Sequence, residues 1–208
     1  MIERGANSWN GGLRGACIGG HCDLVNMMID RGADDWNSGL HGACEGGYID
    51  IVNLMIERGA TWWKGGLYSA CFKGHIDIVN FVINEYVPRR GAVELNIGLH
   101  SACRGGHHDI VDLIIEHGAN KWNLGLHGAC LEGHLHLAML MIDRGANNWN
   151  ECLHDACKEG HLHLAMLMID RGANNLNDGL RIACEEGHRY LVKFITNKYG
   201  VTGKAEIV

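Results

Sequence analysis

The sequence predicts an all-α fold, a solenoid of stacked helix–turn–helix repeats, and three observations support this. A leucine recurs every 27 residues, with one gap of 32, and a glycine stands seven residues after each of these leucines. A fixed period of this length is typical of repeat proteins, whose units bury their apolar faces by stacking on their neighbours. The hydrophobic fraction of 47% suits a helical core. The seven anchor leucines are Leu13, Leu40, Leu67, Leu99, Leu126, Leu153 and Leu180.

Each repeat opens with a short predicted helix that has one apolar face. The anchor leucine, an alanine three residues on and a cysteine four residues on share that face, as in Leu126, Ala129 and Cys130. The asparagine three residues before the anchor is predicted to be the N-cap, with Lys64 replacing it in the third repeat. The glycine is predicted to end the helix in the left-handed conformation. The six asparagines are Asn10, Asn37, Asn96, Asn123, Asn150 and Asn177.

A second, more apolar helix follows the glycine. It often starts with His and then Asp, as at His75 and Asp77, and it closes with Arg-Gly-Ala in most repeats. An acidic first turn and a basic last turn both complement the helix dipole. The loop to the next repeat carries a tryptophan four residues before the anchor, which Leu95 and Leu176 replace in two repeats. Because leucine substitutes there, we interpret the position as structural packing, and we expect the neighbouring Trp62 to be exposed.

The cysteine pattern argues against a disulfide framework. Seven of the nine cysteines stand four residues after an anchor leucine, at equivalent positions of successive repeats. Equivalent residues of packed helices are about 8–10 Å apart, whereas a disulfide needs Cα atoms within about 7 Å. We therefore predict small buried thiols that pack like alanine, which indicates a reducing compartment.

Charge and hydropathy exclude several classes of partner. The formal net charge is −6, and the closest approach to a basic cluster is Arg89-Arg90, so nucleic-acid binding is not expected. No apolar run approaches the roughly 18 residues of a membrane span, and no signal peptide is visible. The predicted location is intracellular and cytoplasmic, or the host cytoplasm if the protein is viral.

The chain is predicted to form a single solenoid of seven repeats over residues 1–208. Residues 1–12 form the end of a partial unit, so the first repeat is predicted to be uncapped and to expose apolar surface. Five extra residues around 84–88 include Pro88, the single proline, and are predicted to form a bulge on the surface. Residues 196–208 are predicted to be a C-terminal tail.

The motif Leu-His-x-Ala-Cys-x-x-Gly-His-x-Asp-Ile-Val, seen over residues 99–111 and followed by Gly-Ala, resembles the ankyrin repeat. The resemblance covers about residues 1–195. Each unit is about six residues shorter than the common 33-residue repeat, and the Thr-Pro of the family is absent. This implies that the β-hairpin finger of the family is missing. The short Trp-Asn-x-Gly-Leu version resembles arrays encoded by large DNA viruses of amoebae.

Histidine and cysteine are abundant, but neither predicts catalysis. The resemblance implies that the recurring histidines are structural and bond to the neighbouring loop. Zinc needs about four convergent ligands, and the best candidates for such a set are four histidines in two adjacent turns. The Cys-His spacing recurs in four repeats, whereas a nucleophile is normally a singular, accessible group. We predict no enzyme, no cofactor and no metal site, with metal binding kept as a third alternative at His134, His136, His161 and His163.

Function is expected where the repeats differ. In the first helix these are the second, fifth and sixth residues after the anchor, which the resemblance places on the concave face. The predicted function is a scaffold that binds a protein partner, a host protein if the viral resemblance holds. The alternative is structural self-association through the uncapped N-terminal end, giving a homo-oligomer. The candidate partner-binding residues are Tyr68, Phe72, Lys73, Arg104, Leu131, Lys158, Glu159 and Glu185.

Overall fold

The computed structural model describes residues 8–85 and 93–200, and these residues form fourteen α-helices with no strand among them. The all-helical repeat fold is therefore confirmed. The first helices of the repeats are α1 Trp9–Gly19, α3 Trp36–Gly46, α5 Trp63–Lys73, α7 Val93–Gly105, α9 Trp122–Glu132, α11 Trp149–Glu159 and α13 Leu176–Glu185. The second helices are α2 Cys22–Asp30, α4 Ile49–Glu57, α6 Ile76–Glu85, α8 His108–Glu116, α10 Leu135–Asp143, α12 Leu162–Asp170 and α14 Arg189–Tyr199.

The chain divides into two compact units. The first unit comprises residues 1–98 and 112–119, and the second comprises residues 99–111 and 120–208. Within the first unit, α1 packs on α3 and α3 packs on α5; within the second unit, α9 packs on α11 and α11 packs on α13. In both units a first helix also packs against the second helix of its own repeat. No helix in the described part of the chain is long and apolar enough to cross a bilayer.

The predicted apolar face of the first helices forms the core of both units. In repeat five, Leu126, Ala129 and Cys130 are fully buried, and the equivalent residues of the other repeats are buried as well, except for the half-buried Cys184. Each of α1, α3, α5, α9 and α11 is followed by a glycine with positive φ, such as Gly133 at +87°. The glycine C-cap prediction is therefore confirmed at these helices.

The asparagine N-cap prediction is wrong. All six asparagines lie inside their helices; α1, for example, begins at Trp9 with Ser8 as its N-cap. Oδ1 of Asn10 accepts hydrogen bonds from the backbone N–H groups of Asp34 at 2.8 Å and Asp35 at 3.0 Å. Asn37, Asn123 and Asn150 make the equivalent bond 24 residues ahead. The asparagine thus provides a hydrogen-bond acceptor for backbone N–H groups of the loop that enters the next repeat. These partners are distant in sequence, so a local capping rule does not reveal them.

The second helices and the loops complete the packing. Ile51, Val52 and Met55 of α4 are buried, as the apolar pattern predicts. The arginine at the end of a second helix lies over the tryptophan at the start of the same repeat, with Arg31 5.3 Å from the ring of Trp9. Arg58 and Trp36, and Arg144 and Trp122, repeat this arrangement. These contacts support a structural role for the tryptophans, whereas Trp62 is 59% exposed, as predicted.

The irregular segments are described only in part. Asn84 and Glu85 end α6, while Pro88 and the rest of the predicted bulge lie outside the described residues, as do residues 1–7 of the partial unit. Residues 196–199 of the predicted tail are helical, because α14 continues to Tyr199 and is capped by Gly200 with positive φ. Nζ of Lys198, in this last turn, lies 3.4 Å from Oδ1 of Asp170 at the end of α12.

Candidate functional site

The repeats differ most on the exposed side of their first helices. We call this the variable face, formed by the first, fifth and sixth residues after each anchor leucine. Lys73, Lys158, Glu159 and Glu185 are exposed there, whereas Tyr68, Phe72, Arg104 and Leu131 are half-buried.

The second residue after the anchor does not belong to this face, which corrects the sequence-based expectation. It is exposed in the first repeat and buried in the other six. The cause is the first helix of the preceding repeat: a Cβ atom on Gly42 would lie 2.7 Å from the carbonyl oxygen of Arg14. Where this residue has a polar side chain, the side chain pairs across the repeats, as Ser69 Oγ does at 3.0 Å from Nε2 of His41.

Repeat three brings three of the candidate residues together. The rings of Tyr68 and Phe72 stack with centroids 6.4 Å apart and planes inclined by 19°. The ammonium group of Lys73 lies 5.5 Å from the Phe72 centroid, within cation–π range. Because Tyr68 and Phe72 are four residues apart on α5, they share one side of that helix. The result is an aromatic and cationic cluster on the variable face of the first unit.

The first unit also carries a polar network on this side. Nη2 of Arg14 donates to Oε2 of Glu45 at 3.1 Å and to Nδ1 of His41 at 3.5 Å. Burial and the charge of Arg14 lower the pKa of His41, and Glu45 opposes them. This network links the first helices of repeats one, two and three through Ser69.

The charged candidate residues of the second unit form ion pairs. Both Nε and Nη2 of Arg104 donate to Oε1 of Glu132, at 3.0 and 2.9 Å. Nζ of Lys158 lies 3.7 Å from Oε1 of Glu159. Nη1 of Arg181 donates to both carboxylate oxygens of Glu185 at 2.8 Å, and this hydrogen bond raises the pKa of the guanidinium. These side chains are 34–59% exposed, so their pairing contributes little to stability.

Histidines at the turns bind the main chain of the preceding repeat, as the resemblance implied. Nε2 of His75, His134, His161 and His188 donates to a carbonyl oxygen 30 residues earlier, at distances between 2.8 and 3.3 Å. In His134 and His161 this bond uses Nε2, so a metal at the four-histidine set would have to bind Nδ1 of these two rings. Among the residues that the structure describes, no group of three or more His, Cys, Asp or Glu side chains is arranged to hold a metal.

A second histidine cluster was missed by the sequence reasoning. The carboxylate of Asp155 is largely buried, with Oδ2 3.2 Å from Nε2 of His127 and Oδ1 3.2 Å from Nδ1 of His154. The ring of His127 lies 5.4 Å from that of His100, whose pKa is lowered by burial, by His127 and by Arg104. One feature of the sequence could have pointed to this cluster. Asp155 is the second residue after an anchor leucine, a position at which the other repeats carry small or apolar residues.

The thiols do not form a nucleophilic site. All nine cysteines lie in the described residues and are free, and Cys22 is the exposed one. Burial raises the pKa of Cys44, Cys103 and Cys157 to about 12, so these side chains are neutral thiols at physiological pH. Such buried thiols behave as small apolar groups, as the sequence predicted.

Comparisons with known proteins agree with this architecture. The family model "Ankyrin repeats (3 copies)" matches residues 40–125 and 67–151, which together cover more than half of the chain. The crystal structure of the human ASB11 ankyrin repeat domain is similar, with a TM-score of 0.55 and 20% sequence identity over 88% of this chain and 96% of that chain. At this identity the likeness concerns the fold. No curated protein sequence matches. The chain belongs to the ankyrin-repeat family.

Proposed function

We propose that this protein is a non-catalytic scaffold that binds a protein partner through its variable face. The observation that carries the proposal is the cluster of Tyr68, Phe72 and Lys73, in which two stacked rings and a cation remain partly open to solvent. Tyrosine is among the residues enriched at the energetic centres of protein interfaces, and aromatic side chains in general are enriched there. At the turns, by contrast, His75 and His134 are each bound to a main-chain carbonyl oxygen of the preceding repeat.

The charged residues of the second unit have a different role in the proposal. Arg104 and Glu185 already have acidic and basic neighbours, so a partner that binds them exchanges one ion pair for another. Such groups contribute to specificity and association rate more than to affinity. Leu131, Lys158 and Glu159 complete this predicted part of the surface. We expect the aromatic cluster to supply most of the affinity.

The resemblance to arrays of large DNA viruses of amoebae supports a host protein as the partner. Under this proposal the complex forms in the host cytoplasm. Family membership supports protein binding in general, since ankyrin repeats serve as interaction modules. The identity of the partner is a matter for experiment, because one scaffold fold binds unrelated targets.

Affinity capture from an amoebal lysate with matched variants tests the proposal. Phe72→Ala and Arg104→Glu alter the variable face, and Tyr190→Ala is the control because this side chain is 85% exposed on a second helix. Captured proteins are quantified by mass spectrometry, and the best candidate is purified for titration. We expect Phe72→Ala to weaken binding at least about tenfold, Arg104→Glu to weaken it less, and Tyr190→Ala to leave it unchanged. A partner whose binding depends on Tyr190 and on neither variable-face residue contradicts the proposal.

Self-association is a second candidate, and the first repeat favours it. Leu24 on α2 is 43% exposed, whereas Ile51, at the same position of the second repeat, is 2% exposed. Met27 is exposed on the same helix. Light scattering across a dilution series separates the two candidates. A protein that stays monomeric at high concentration excludes self-association, and oligomers that Leu24→Gln dissociates support it.

A further inference from the structure

One cysteine departs from the repeat pattern at a position where the pattern is otherwise strict. Cys152 stands immediately before the anchor Leu153, and a glycine occupies that position in all six other repeats. Cys152 lies in the first turn of α11 and is 0% exposed. Its side chain is therefore an addition to an interface that elsewhere accommodates a hydrogen atom. The six glycines are Gly12, Gly39, Gly66, Gly98, Gly125 and Gly179.

These glycines show what a side chain at this position meets. A Cβ atom on Gly66 would lie 2.9 Å from Sγ of Cys44, and one on Gly179 would lie 3.0 Å from Sγ of Cys157. At Gly98 the nearest sulfur is Sγ of Cys71, at 3.3 Å. In these three cases the sulfur belongs to the recurring cysteine of the preceding repeat, whereas at Gly39 and Gly125 the nearest sulfur is Sδ of Met55 or Met141, in the second helix of the same repeat. At Cys152 the corresponding residue is Cys130, which is also 0% exposed.

This spacing matches the geometry of a disulfide. With an S–S bond of about 2.04 Å, the Cβ atom of one cysteine lies about 3 Å from the sulfur of the other. The distances at Gly66 and Gly179 fall at this value. The argument that excluded disulfides between equivalent cysteines therefore does not apply, because Cys130 and Cys152 occupy different positions of the repeat.

The surroundings of the pair determine how it reacts. A hydrogen bond between the two thiols, burial, and the charges of Asp155 and Glu151 all raise the pKa of Cys152. The side chain of Cys152 is therefore a neutral thiol, and reagents reach neither side chain in the closed structure because both are 0% exposed. The pair reacts only when the contact between α9 and α11 opens locally, so both its oxidation and its reduction are slow.

We propose that Cys130 and Cys152 form an oxidisable pair, and that their disulfide links α9 of repeat five to α11 of repeat six under oxidising conditions. A low-molecular-weight disulfide is the oxidant. The first protein thiol loses its proton and attacks this disulfide, whose S–S bond breaks to give a mixed disulfide and one small thiol. The second protein thiol then attacks the protein sulfur and releases the second small thiol. The protein loses two electrons and two protons, which the two small thiols carry.

The link joins two helices that otherwise adhere through packing. It closes a loop of about 20 residues that contains α10, and a loop of this length stabilises a fold appreciably by restricting the unfolded chain. The recurring cysteines of repeats one, two, three, four and six are followed one repeat ahead by glycine, and so by no second cysteine, at this position. The effect is therefore confined to repeats five and six of the second unit.

The experiment uses the full chain with Cys22→Ser, which removes the exposed thiol. The reduced protein is equilibrated for days in glutathione buffers of increasing oxidised fraction, quenched in acid, alkylated under denaturing conditions and mapped by mass spectrometry without reduction. We expect a mass loss of about 2 Da relative to the reduced protein, one linked peptide pair containing Cys130 and Cys152, and alkylation of the remaining cysteines. We expect the midpoint of thermal unfolding to rise by roughly 5–10 °C on oxidation.

Cys152→Gly, which restores the residue of the other repeats, and Cys152→Ala are the matched controls, and neither should show the mass loss or the thermal shift. The mapping requires only the background protein, so the test does not depend on how well these controls fold. Full alkylation of Cys130 and Cys152 in the most oxidising buffer overturns the proposal. Linkage of Cys130 to other cysteines with equal yield, or a link without a thermal shift, also overturns it.

Discussion

On the turn side of the repeats, His75, His134, His161 and His188 make one and the same bond to a carbonyl oxygen 30 residues earlier. On the variable face of the seven repeats, the fifth residue after the anchor is, in chain order, isoleucine, glutamate, phenylalanine, arginine, leucine, lysine and glutamate. The turn side binds one repeat to the next, so its side chains must fit a fixed neighbour. On the variable face only some side chains pair with the next repeat, as Arg104 does with Glu132. We therefore propose that stability and recognition occupy different regions of each repeat, the turns and the first helices.

The largest effect is expected for a side chain added at a turn. Gly133→Ala places a Cβ atom 2.8 Å from ring atoms of His161 and forces alanine to adopt a φ of +87°. The strained φ costs about 1–2 kcal/mol, and displacement of the histidine hydrogen bond adds about 1 kcal/mol. Urea denaturation measures the change in the free energy of unfolding.

Gly187→Ala is the control for this comparison. Its φ is +77°, but a Cβ atom there meets no described atom within 4 Å. We expect it to lose only the backbone contribution, about 1–2 kcal/mol. Equal losses in the two variants would show that the histidine contact at the turn contributes nothing.

A smaller effect is expected when the turn histidine itself is removed. His134→Ala loses the bond from Nε2 to the Arg104 carbonyl oxygen, 3.1 Å long, and leaves that oxygen without this donor. The expected loss is about 1 kcal/mol in the free energy of unfolding. His136→Ala, two residues away on an exposed side chain, should change it by less than about 0.5 kcal/mol. A larger loss at His136 than at His134 would reverse the assignment of roles.

The variable face should contribute still less to stability. A double-mutant cycle of Arg104→Ala and Glu132→Ala measures the coupling energy of the pair between repeats four and five. Because both side chains are about one-third exposed or more, we expect less than about 1 kcal/mol. A coupling of 2 kcal/mol or more would place this pair among the structural contacts and weaken its assignment to recognition.

The smallest effect concerns pH. The pKa of His100 is lowered from 6.5 in the folded state by burial, by His127 and by Arg104. The unfolded state therefore binds more protons, and stability falls as the pH drops through 6.5 and levels off below the folded pKa. His100→Gln should flatten this part of the profile, measured by urea denaturation between pH 5 and 8. An unchanged slope, or stability that rises on acidification, would contradict the assignment.

Features that recur in every repeat could be predicted from the sequence. The anchor leucine, the alanine and the cysteine appear seven times at one spacing, and periodicity alone places them on a buried face. The glycine caps and the structural tryptophan position follow in the same way. The prediction of one solenoid over residues 1–208 and the assignment of the binding residues stay predictions.

Contacts between repeats were harder to predict. Asn10 fits a capping rule, but its partners are 24 and 25 residues away. Ser69 and Asp155 occupy a varying position and looked exposed, because helical periodicity within one repeat does not show where the preceding helix lies. Cys152 occurs once, so its proximity to Cys130 becomes visible only when the packing of glycines in other repeats is known.

Covalent side-chain footprinting of the complex with the captured partner tests the central claim most directly. Labelling of Tyr68 and Phe72 is compared with labelling of Tyr190, before and after the partner is bound. The account predicts that the partner protects Tyr68 and Phe72 and leaves Tyr190 unchanged. Protection of Tyr190 with no change at Tyr68 and Phe72 would contradict the assignment of recognition to the variable face.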